Sequence, residues 1–255
     1  MSCVLITGIT NAQTPFNQRS AFSIGLKGNV NLVGIANQNN YGQNEMDYEL
    51  TPGFGAGVLA SLHLDHQNSV SAALTYQSHG QKYKDSFKGS DFEKEVRYQM
   101  LSLPVYYKRM LTETSGGYAG VGSESKPRWY LLGGFQVDRL LSPNIDWYLN
   151  GSETDFLSFV LEGGNPNQAL IEAMGAPASD EDLFTDWDIM FILGGGFELP
   201  VSTQVMFSIE LRGGIGLTDI NAKDWRLENN QGVYGASRNA FAGLHVGIHY
   251  MFVTQ

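Results

Sequence analysis

Seven charged side chains occupy the polar positions of segments in which polar and apolar residues alternate. They are Lys27, Lys108, Asp138, Asp188, Glu198, Glu210 and Arg212. If these segments are strands that close into a ring, the seven side chains face one interior and form a lumenal polar network. Opposite charges at similar depth should then pair, because a buried charge without a partner is costly. The network could be a proton or ion path or a structural plug, and a ring narrow enough for side chains to fill favours the plug.

Other reactive residue types do not form a site that their spacing supports. His245 and His249 lie four residues apart on one strand face, roughly 13 Å in an extended chain, which is too far to share a metal ion. Ser78, His79 and Asp138 are the residue types of a hydrolase triad, but nothing in their spacing brings them together. The sequence therefore predicts no catalytic residue, no metal site and no cofactor, and we expect a non-enzymatic protein.

Composition narrows the class of protein. The chain of 255 residues has a formal charge of −10, which disfavours nucleic acid as a partner, and no small-molecule substrate is indicated. Only 16% of its residues are charged, against about 25% in ordinary soluble domains, and it contains 30 glycines. No apolar run of about 18 residues could form a transmembrane helix. The single cysteine, Cys3, excludes a disulfide framework. A membrane barrel and a soluble all-β protein both fit these numbers.

Eight segments have the two-residue period of β-strands. They are 20–32, 53–65, 70–77, 101–108, 129–138, 187–199, 204–212 and 239–252. One alternate set of positions is apolar and uncharged, whereas the other contains many glycines and all seven charges. A charge facing lipid costs about 2–4 kcal/mol at the middle of a bilayer, so the uncharged set should face outward. We therefore predict an all-β fold, an eight-stranded antiparallel up-and-down transmembrane β-barrel with outer-membrane lipid around it.

The connections between these segments alternate in length. Short ones follow the second and sixth strands, and long ones follow the odd-numbered strands, at 33–52, 78–97, 142–186 and 218–238. Bacterial barrels have short periplasmic turns and long extracellular loops, so we expect both termini to be periplasmic and the protein to lie in the cell outer membrane. The connection 111–127 is long for a periplasmic turn and departs from this pattern.

Aromatic residues fall at both ends of the apolar positions. The expected aromatic girdle consists of Phe22, Tyr76, Tyr107, Trp129, Trp187, Tyr250 and Phe252. Aromatic side chains gather at the two headgroup layers of a bilayer, so this placement favours the membrane barrel over a soluble one.

The segment 142–186 is the largest predicted extracellular loop and should be partly helical. Residues 167–174 followed by Gly175 have the pattern of a short helix, and Ser179 with Asp182 resembles a capping box. The loop is unusually apolar, and its candidate partner-binding residues are Phe156, Phe159, Val160, Leu170, Ile171 and Met174. These side chains either cover the barrel mouth themselves or dock another protein, and the sequence leaves both open.

The chain begins with a short apolar stretch ending in small residues. Residues 1–12 fit a signal-peptide remnant with cleavage after Ala12, although the usual positive charge at the start is missing. The alternative is a short apolar strand. Residues 13–255 should then form a single outer-membrane barrel domain.

Four segments carry a resemblance to a known family. They are 98–105, 131–135, 188–199 and 211–220, and together they resemble the PorT-like outer-membrane β-barrel proteins of Bacteroidetes. The chain has Ser102 where the family strand usually has an acidic residue two positions before the proline, and 142–186 is larger than expected. The resemblance implies an outer-membrane barrel but not one activity, although the founding member belongs to the type IX secretion and gliding machinery.

These observations together give an expected function. We expect a barrel that binds or scaffolds an envelope or secretion-machinery partner through its extracellular loops. The alternatives are a purely structural small barrel, a narrow porin-like pore, or, with less support, a membrane-embedded hydrolase.

Overall fold

The computed structural model describes most of the chain. It covers residues 21–37, 46–65, 67–111, 127–162, 168–202, 204–228 and 232–253. The predicted signal-peptide remnant 1–12 lies outside these ranges and stays a prediction.

Ten strands and two short helices make up the described structure. The strands are β1 (Ala21–Ala36), β2 (Asp47–Glu49), β3 (Thr51–His63), β4 (Asn68–Phe87), β5 (Ser90–Met110), β6 (Arg128–Leu149), β7 (Ser152–Thr154), β8 (Trp187–Pro200), β9 (Val205–Gly216) and β10 (Arg238–Val253). The helices are α1 (Phe156–Glu162) and α2 (Gln168–Met174), and single 3₁₀ turns cover Asp180–Leu183 and Lys223–Trp225. Among the residues described, no helix is long and apolar enough to cross a membrane.

Eight of the strands close into a ring. The antiparallel pairs run β1–β3–β4–β5–β6–β8–β9–β10, and β10 pairs back onto β1 from Ala21↔Val253 to Ala36↔Arg238. The short strands β2 and β7 pair with β4 and β6. This arrangement confirms the predicted eight-stranded up-and-down barrel. Ala21 and Val253 lie at one end, here called the terminal end, and the opposite end is called the lid end.

Side chains alternate between the barrel interior and its outer surface as the period predicts. Leu26, Leu131 and Leu211 point outward and are 63%, 56% and 67% exposed. Lys27 and Arg212, the neighbours of two of them, point inward and are buried. The polar set therefore fills the interior, and the outer surface forms an apolar band. This is the reverse of a soluble barrel, whose apolar set would form the core.

Along β5 the polar and apolar side chains change sides: the outward positions are apolar in one half of the strand and charged in the other. From Leu101 to Tyr107 its outward side chains are apolar and exposed. Toward the lid end the outward side chains are Asp91, Glu93, Glu95 and Arg97, and the inward, buried ones include Phe92, Val96, Tyr98 and Met100. A shift in the β5–β6 register falls between Gln99 and Met100, at the reversal. An apolar exterior suits lipid and a charged exterior suits water, so the reversal marks the edge of the apolar band.

The predicted girdle residues lie near the two edges of this band, with their rings exposed. Near the terminal end lie Phe22, Tyr107, Trp129, Tyr250 and Phe252, and near the opposite edge lie Tyr76 and Trp187. Tyr76 and Trp187 lie at the same height, because Tyr76 pairs with Leu101, Leu101 with Arg139 and Arg139 with Trp187 across neighbouring strands. The Arg139 guanidinium lies 5.7 Å from the centre of the Trp187 ring.

The strands at the lid end are longer than the sequence pattern suggests. Residues 78–97 were expected to form a loop, but β4 runs to Phe87 and β5 starts at Ser90. The two-residue turn places Lys88 and Gly89 at φ 52° and 86°, the positive values of a tight hairpin. Similarly, the first part of 142–186 is strand, because β6 continues to Leu149. The expectation of loops here was wrong because the outward positions of these strands are polar beyond the band, so the apolar outer face of a membrane strand is missing.

Candidate functional site in the lumen and the lid

Glu210 on β9 is the centre of the lumenal polar network. Its carboxylate accepts hydrogen bonds from Lys27 Nζ at 3.2 Å, from the Arg212 guanidinium and from Tyr130 Oη at 3.0 Å. Lys27 reaches it from β1, Tyr130 from β6 across the interior, and Arg212 from two residues further along the same strand. Charge-assisted hydrogen bonds of this kind offset the cost of burying Glu210.

A second buried ion pair lies nearer the terminal end. Lys108 on β5 donates to Glu198 on β8, and both side chains are almost completely buried. Two tyrosines complete the packing, because Lys108 Nζ lies 4.7 Å from the centre of the Tyr130 ring and Arg212 lies 4.4 Å from that of Tyr106. Cations over aromatic faces gain further stabilisation where water is excluded.

Inward glycines provide the space for these long side chains. A Cβ atom added at Gly196 would lie 2.2 Å from the Ile209 carbonyl oxygen and 2.8 Å from Glu210 Cβ. At Gly194 it would lie 3.2 Å from Arg212 Cα. The two glycines of β8 therefore leave the space next to Glu210 and Arg212 on β9 that a larger residue would fill.

Asp138 and Asp188 are also buried but join the network differently. They are direct register partners on β6 and β8. Gln136 Nε2 donates to both Asp138 oxygens at 3.0 Å, and Asp188 accepts from Asn239 Nδ2 at 2.8 Å and from Thr218. The direction of the predicted strands places Arg212 toward the same end of the barrel as these two aspartates, but Arg212 pairs with Glu210 instead.

Three histidines line the half of the lumen that lies toward the terminal end. His63 Nε2 lies 3.3 Å from Ser23 Oγ and His249 Nε2 lies 2.8 Å from Ser208 Oγ. His245 Nδ1 is 3.9 Å from a Glu210 oxygen. In the described part of the chain, no group of three His, Cys, Asp or Glu residues is arranged to hold a metal ion. A cavity of about 10 Å³ beside His245 and His249 has room for one water molecule.

The hydrolase-like trio is not assembled. Ser78 Oγ accepts a hydrogen bond from Phe54 N at 2.9 Å on the outer side of β4. His79, the next residue, points inward and stacks on Tyr98, with 6.2 Å between the ring centres. Because neighbours on a strand face opposite sides, Ser78 and His79 cannot form a nucleophile and base pair. Asp138 is held by Gln136, as described above.

Residues 150–186 are here called the lid, and their described parts, 150–162 and 168–186, fold over the barrel mouth and share an apolar core with β5 and β6. Phe159 packs against Trp147 and Phe92, with ring centres 4.8 and 5.3 Å apart, and Phe156 packs against Trp225 at 5.3 Å. Phe156, Phe159, Val160 and Ile171 are at most 6% exposed. Of the two alternatives that the sequence leaves open, the burial of these four residues agrees with the first, in which they cover the apolar interior at the barrel mouth.

Leu170 and Met174 are placed differently from the other four candidates. They lie on α2, the helix expected at 167–174, and Gly175 ends it at φ 78° with its N–H bonded to the Ile171 oxygen. Ile171 is fully buried, whereas Leu170 and Met174 are 48% and 39% exposed. With exposed Ala173 they have the i, i+3, i+4 spacing of one helix face, here called the apolar stripe.

Polar side chains anchor the lid to the barrel. Asp180 Oδ2 accepts from Ile145 N at 2.7 Å, and Asp182 completes the predicted capping box with Ser179. Asp155 accepts from the Ser158 N–H and hydroxyl at the start of α1, and these bonds lower the pKa of Asp155.

Lys94 is a buried lysine beneath the lid that the sequence pattern does not reveal. Its side chain is fully buried on β5, and Nζ lies 4.4 Å from the centre of the Trp147 ring. Burial lowers the pKa of Lys94 well below its usual value, and the charge of Asp180 opposes this shift. Its inward position follows from the alternation with Phe92 and Val96, but only once 90–99 is identified as strand.

Comparison with known proteins identifies one family. The model of the outer membrane protein beta-barrel domain matches residues 11–222 of this chain. A comparison with curated proteins finds no match.

Several solved barrels are similar in structure at low sequence identity. Neisserial surface protein A has a TM-score of 0.43 and 12% identity, covering 91% of this chain and 99% of its own. The Ail attachment invasion locus protein of Yersinia pestis, solved with a heparin analogue, has a TM-score of 0.38 and 9% identity, covering 92% and 99%. The outer membrane protease OmpT of Escherichia coli has a TM-score of 0.43 and 9% identity, covering 92% and 98%.

Proposed function

Because the chain belongs to the family of outer membrane protein beta-barrel domains, we propose that it is a non-enzymatic barrel that binds an envelope partner through its lid. In this proposal the terminal end is periplasmic and the lid is extracellular. Two short connections, from β3 to β4 and from β8 to β9, support that orientation. They join strands at the terminal end, whereas the lid and the long β4–β5 hairpin lie at the other end. A secretion-machinery partner, as the PorT-like resemblance implies, is one form of the proposal.

The observation that carries the proposal is the apolar stripe on α2. A short helix of a folded protein normally turns its apolar face toward the core. Here Ile171 alone among the large apolar residues from 169 to 174 is buried, and Leu170, Ala173 and Met174 face solvent. The lid has a packed core, so the stripe is presented on an ordered surface. Exposed apolar groups on such a surface are typical of protein interaction sites.

The filled lumen favours a second candidate, a purely structural barrel whose lid only seals the mouth. Two buried ion-pair clusters and the rings of Tyr106 and Tyr130 occupy the interior, which also gives the narrow-pore alternative less support. Under this reading the four buried lid residues explain the apolar composition of the loop, and the stripe has no partner.

Substitution of the stripe separates the two candidates. The double variant Leu170→Ser/Met174→Ser removes the exposed apolar groups and leaves the lid core intact, which a deletion of the lid would not do. We expect a protein that co-purifies with the wild type from mildly solubilised outer membranes to be lost from this variant. It should be retained by Leu50→Ser, a matched change at a residue that is 83% exposed. Circular dichroism checks that both variants fold. Identical co-purifying proteins in all three would contradict the docking proposal.

A further inference from the structure

The lid carries most of the net charge of the protein. Between residues 150 and 186 there are eight Asp and Glu residues and no Lys, Arg or His, a net charge of −8. The whole chain has a formal charge of −10. The neighbouring β4–β5 hairpin differs, because there Lys82, Lys84 and Arg97 pair with carboxylates. The excess negative charge is thus concentrated on the element that carries the apolar stripe.

Three of the eight lid carboxylates accept hydrogen bonds that hold the lid together, and the other five are exposed to solvent. Asp155, Asp180 and Asp182 accept hydrogen bonds within the lid or from β6. The other lid carboxylates are all exposed: Glu153, Glu162, Glu172, Glu181 and Asp186. Hydrogen bonds therefore give the three aspartates of the lid turns a structural role, whereas Glu153, Glu162 and Glu181 add exposed negative charge.

Two of the exposed carboxylates lie in α2 or in the helix that contacts it. Glu162 ends α1, which contacts α2, and Glu172 lies within α2 itself. A partner that covers Leu170 and Met174 must approach through this negative field. Like charges brought together at an interface cost several kcal/mol, whereas opposite charges increase the rate of encounter and the specificity.

We infer that the segment that docks on the apolar stripe belongs to a protein and is basic and amphipathic, with Lys or Arg flanking small apolar groups. This inference rests on the proposed docking function and specifies its partner. Apolar contacts with Leu170, Ala173 and Met174 supply the buried area, and the cations neutralise the surrounding carboxylates. The same field repels polyanions, including the phosphates of lipid headgroups, from this surface.

A synthetic peptide pair tests the inference with the full-length protein in phosphatidylcholine nanodiscs. One fluorescent helical peptide contains Leu and Lys, and the other has Glu in place of Lys, with empty nanodiscs as the blank. We expect the Lys peptide to bind about 10-fold tighter or more at low salt, and its affinity to fall when the salt concentration is raised to about 0.5 M. Leu170→Ser/Met174→Ser should weaken it further, because charge alone does not supply the apolar contact.

Two neutralised variants localise the effect. Glu153→Gln/Glu162→Gln/Glu181→Gln removes three lid carboxylates, and Asp47→Asn/Asp85→Asn/Asp224→Asn removes three exposed ones elsewhere. We expect a loss of about 10-fold in peptide affinity in the first variant and little change in the second. Equal losses in both, equal binding of the two peptides, or tighter binding of anionic phosphatidylglycerol vesicles would overturn the inference.

The co-purification experiment distinguishes this inference from the proposed function. If the co-purifying protein depends on Leu170 and Met174 but is unaffected by the lid Glu→Gln variant, the partner is not recognised by charge and only the inference fails. If no protein depends on the stripe, the proposed function fails as well, even where the Lys peptide binds.

Discussion

Glu198 and Lys108 form an ion pair in which neither charged group reaches water. The Glu198 side chain is 1% exposed and that of Lys108 is 4% exposed, so each charge depends on the other. Removing one partner of such a pair leaves a buried charge uncompensated, whereas replacing both with apolar groups often has little cost. This asymmetry gives a test of whether the lumen is a structural plug.

We predict that Glu198→Gln lowers the free energy of unfolding by about 3–5 kcal/mol. The paired variant Lys108→Met/Glu198→Leu should recover most of this loss, because no charge is then left buried. Urea unfolding of the barrel in phosphatidylcholine vesicles measures both. A single variant as stable as the wild type would show that water reaches this part of the lumen, contrary to a filled interior.

Lys94 predicts a pH dependence of the lid. Burial lowers the pKa of Lys94 below the 10.5 of an unfolded lysine, so the unfolded state binds more protons between the two values. The stability of the lid should therefore rise as the pH increases through this window. Hydrogen exchange of α1, corrected for intrinsic rates, should show more protection at about pH 9 than at about pH 7. Lys94→Met should remove the difference, and an unchanged difference in that variant would exclude Lys94 as its cause.

The alternation of the sequence predicts which residues face the lumen but not how they pair. Lys27, Lys108 and Glu210 are assigned to the interior by period alone. That Arg212 bonds Glu210 rather than Asp138 or Asp188 depends on the register between strands, which a single sequence does not contain. The buried Lys94 was missed for a related reason, because its neighbours were not identified as strand.

Strand β5 shows that one element passes through two environments. Its outward side chains are apolar from Leu101 to Tyr107 and charged from Asp91 to Arg97. The interior changes in the opposite sense, from the Lys108 ion pair to the apolar core beneath the lid. Where a strand continues beyond the membrane, its outward side chains change from apolar to polar, because water replaces lipid around the barrel.

The reversal predicts different costs for the same substitution at two outward positions. Leu103→Arg places a cation in the apolar band and should lower the free energy of unfolding in vesicles by about 2–4 kcal/mol. Asn144→Arg, at an exposed position of β6 beyond the reversal, should change it by less than about 0.5 kcal/mol. Equal effects of the two substitutions would contradict the position of the band edge.

At the element scale, the sequence pattern is most reliable inside the band. Inside the band one face of each strand is apolar and uncharged, and this alternation predicts all eight barrel strands. Beyond the band the outward side chains of β4 and β5 are polar, so the pattern of a membrane strand does not apply, and the sequence predicts a loop at 78–97 instead. The short helix α2 was predictable from Gly175 and its apolar residues, whereas the burial of Phe159 depends on Trp147 from another strand.

As a whole molecule, the protein combines a plugged barrel with a charged lid. Buried ion pairs and tyrosine rings occupy the lumen, and residues 150–186 carry −8 of the formal charge of −10. Composition alone showed the charge of −10 but not its concentration at one end. This distribution is what places the candidate function at the lid rather than in the lumen.

The orientation of the barrel in the outer membrane is tested most directly by labelling single cysteines in intact cells. In a Cys3→Ser background, a membrane-impermeant maleimide coupled to a large polymer should react with Lys88→Cys in the β4–β5 turn and with Glu153→Cys in the lid. Gln67→Cys and Ser202→Cys, in the turns of the terminal end, should react only after the outer membrane is disrupted. Labelling of the terminal-end cysteines but not the lid cysteines in intact cells would contradict an extracellular lid.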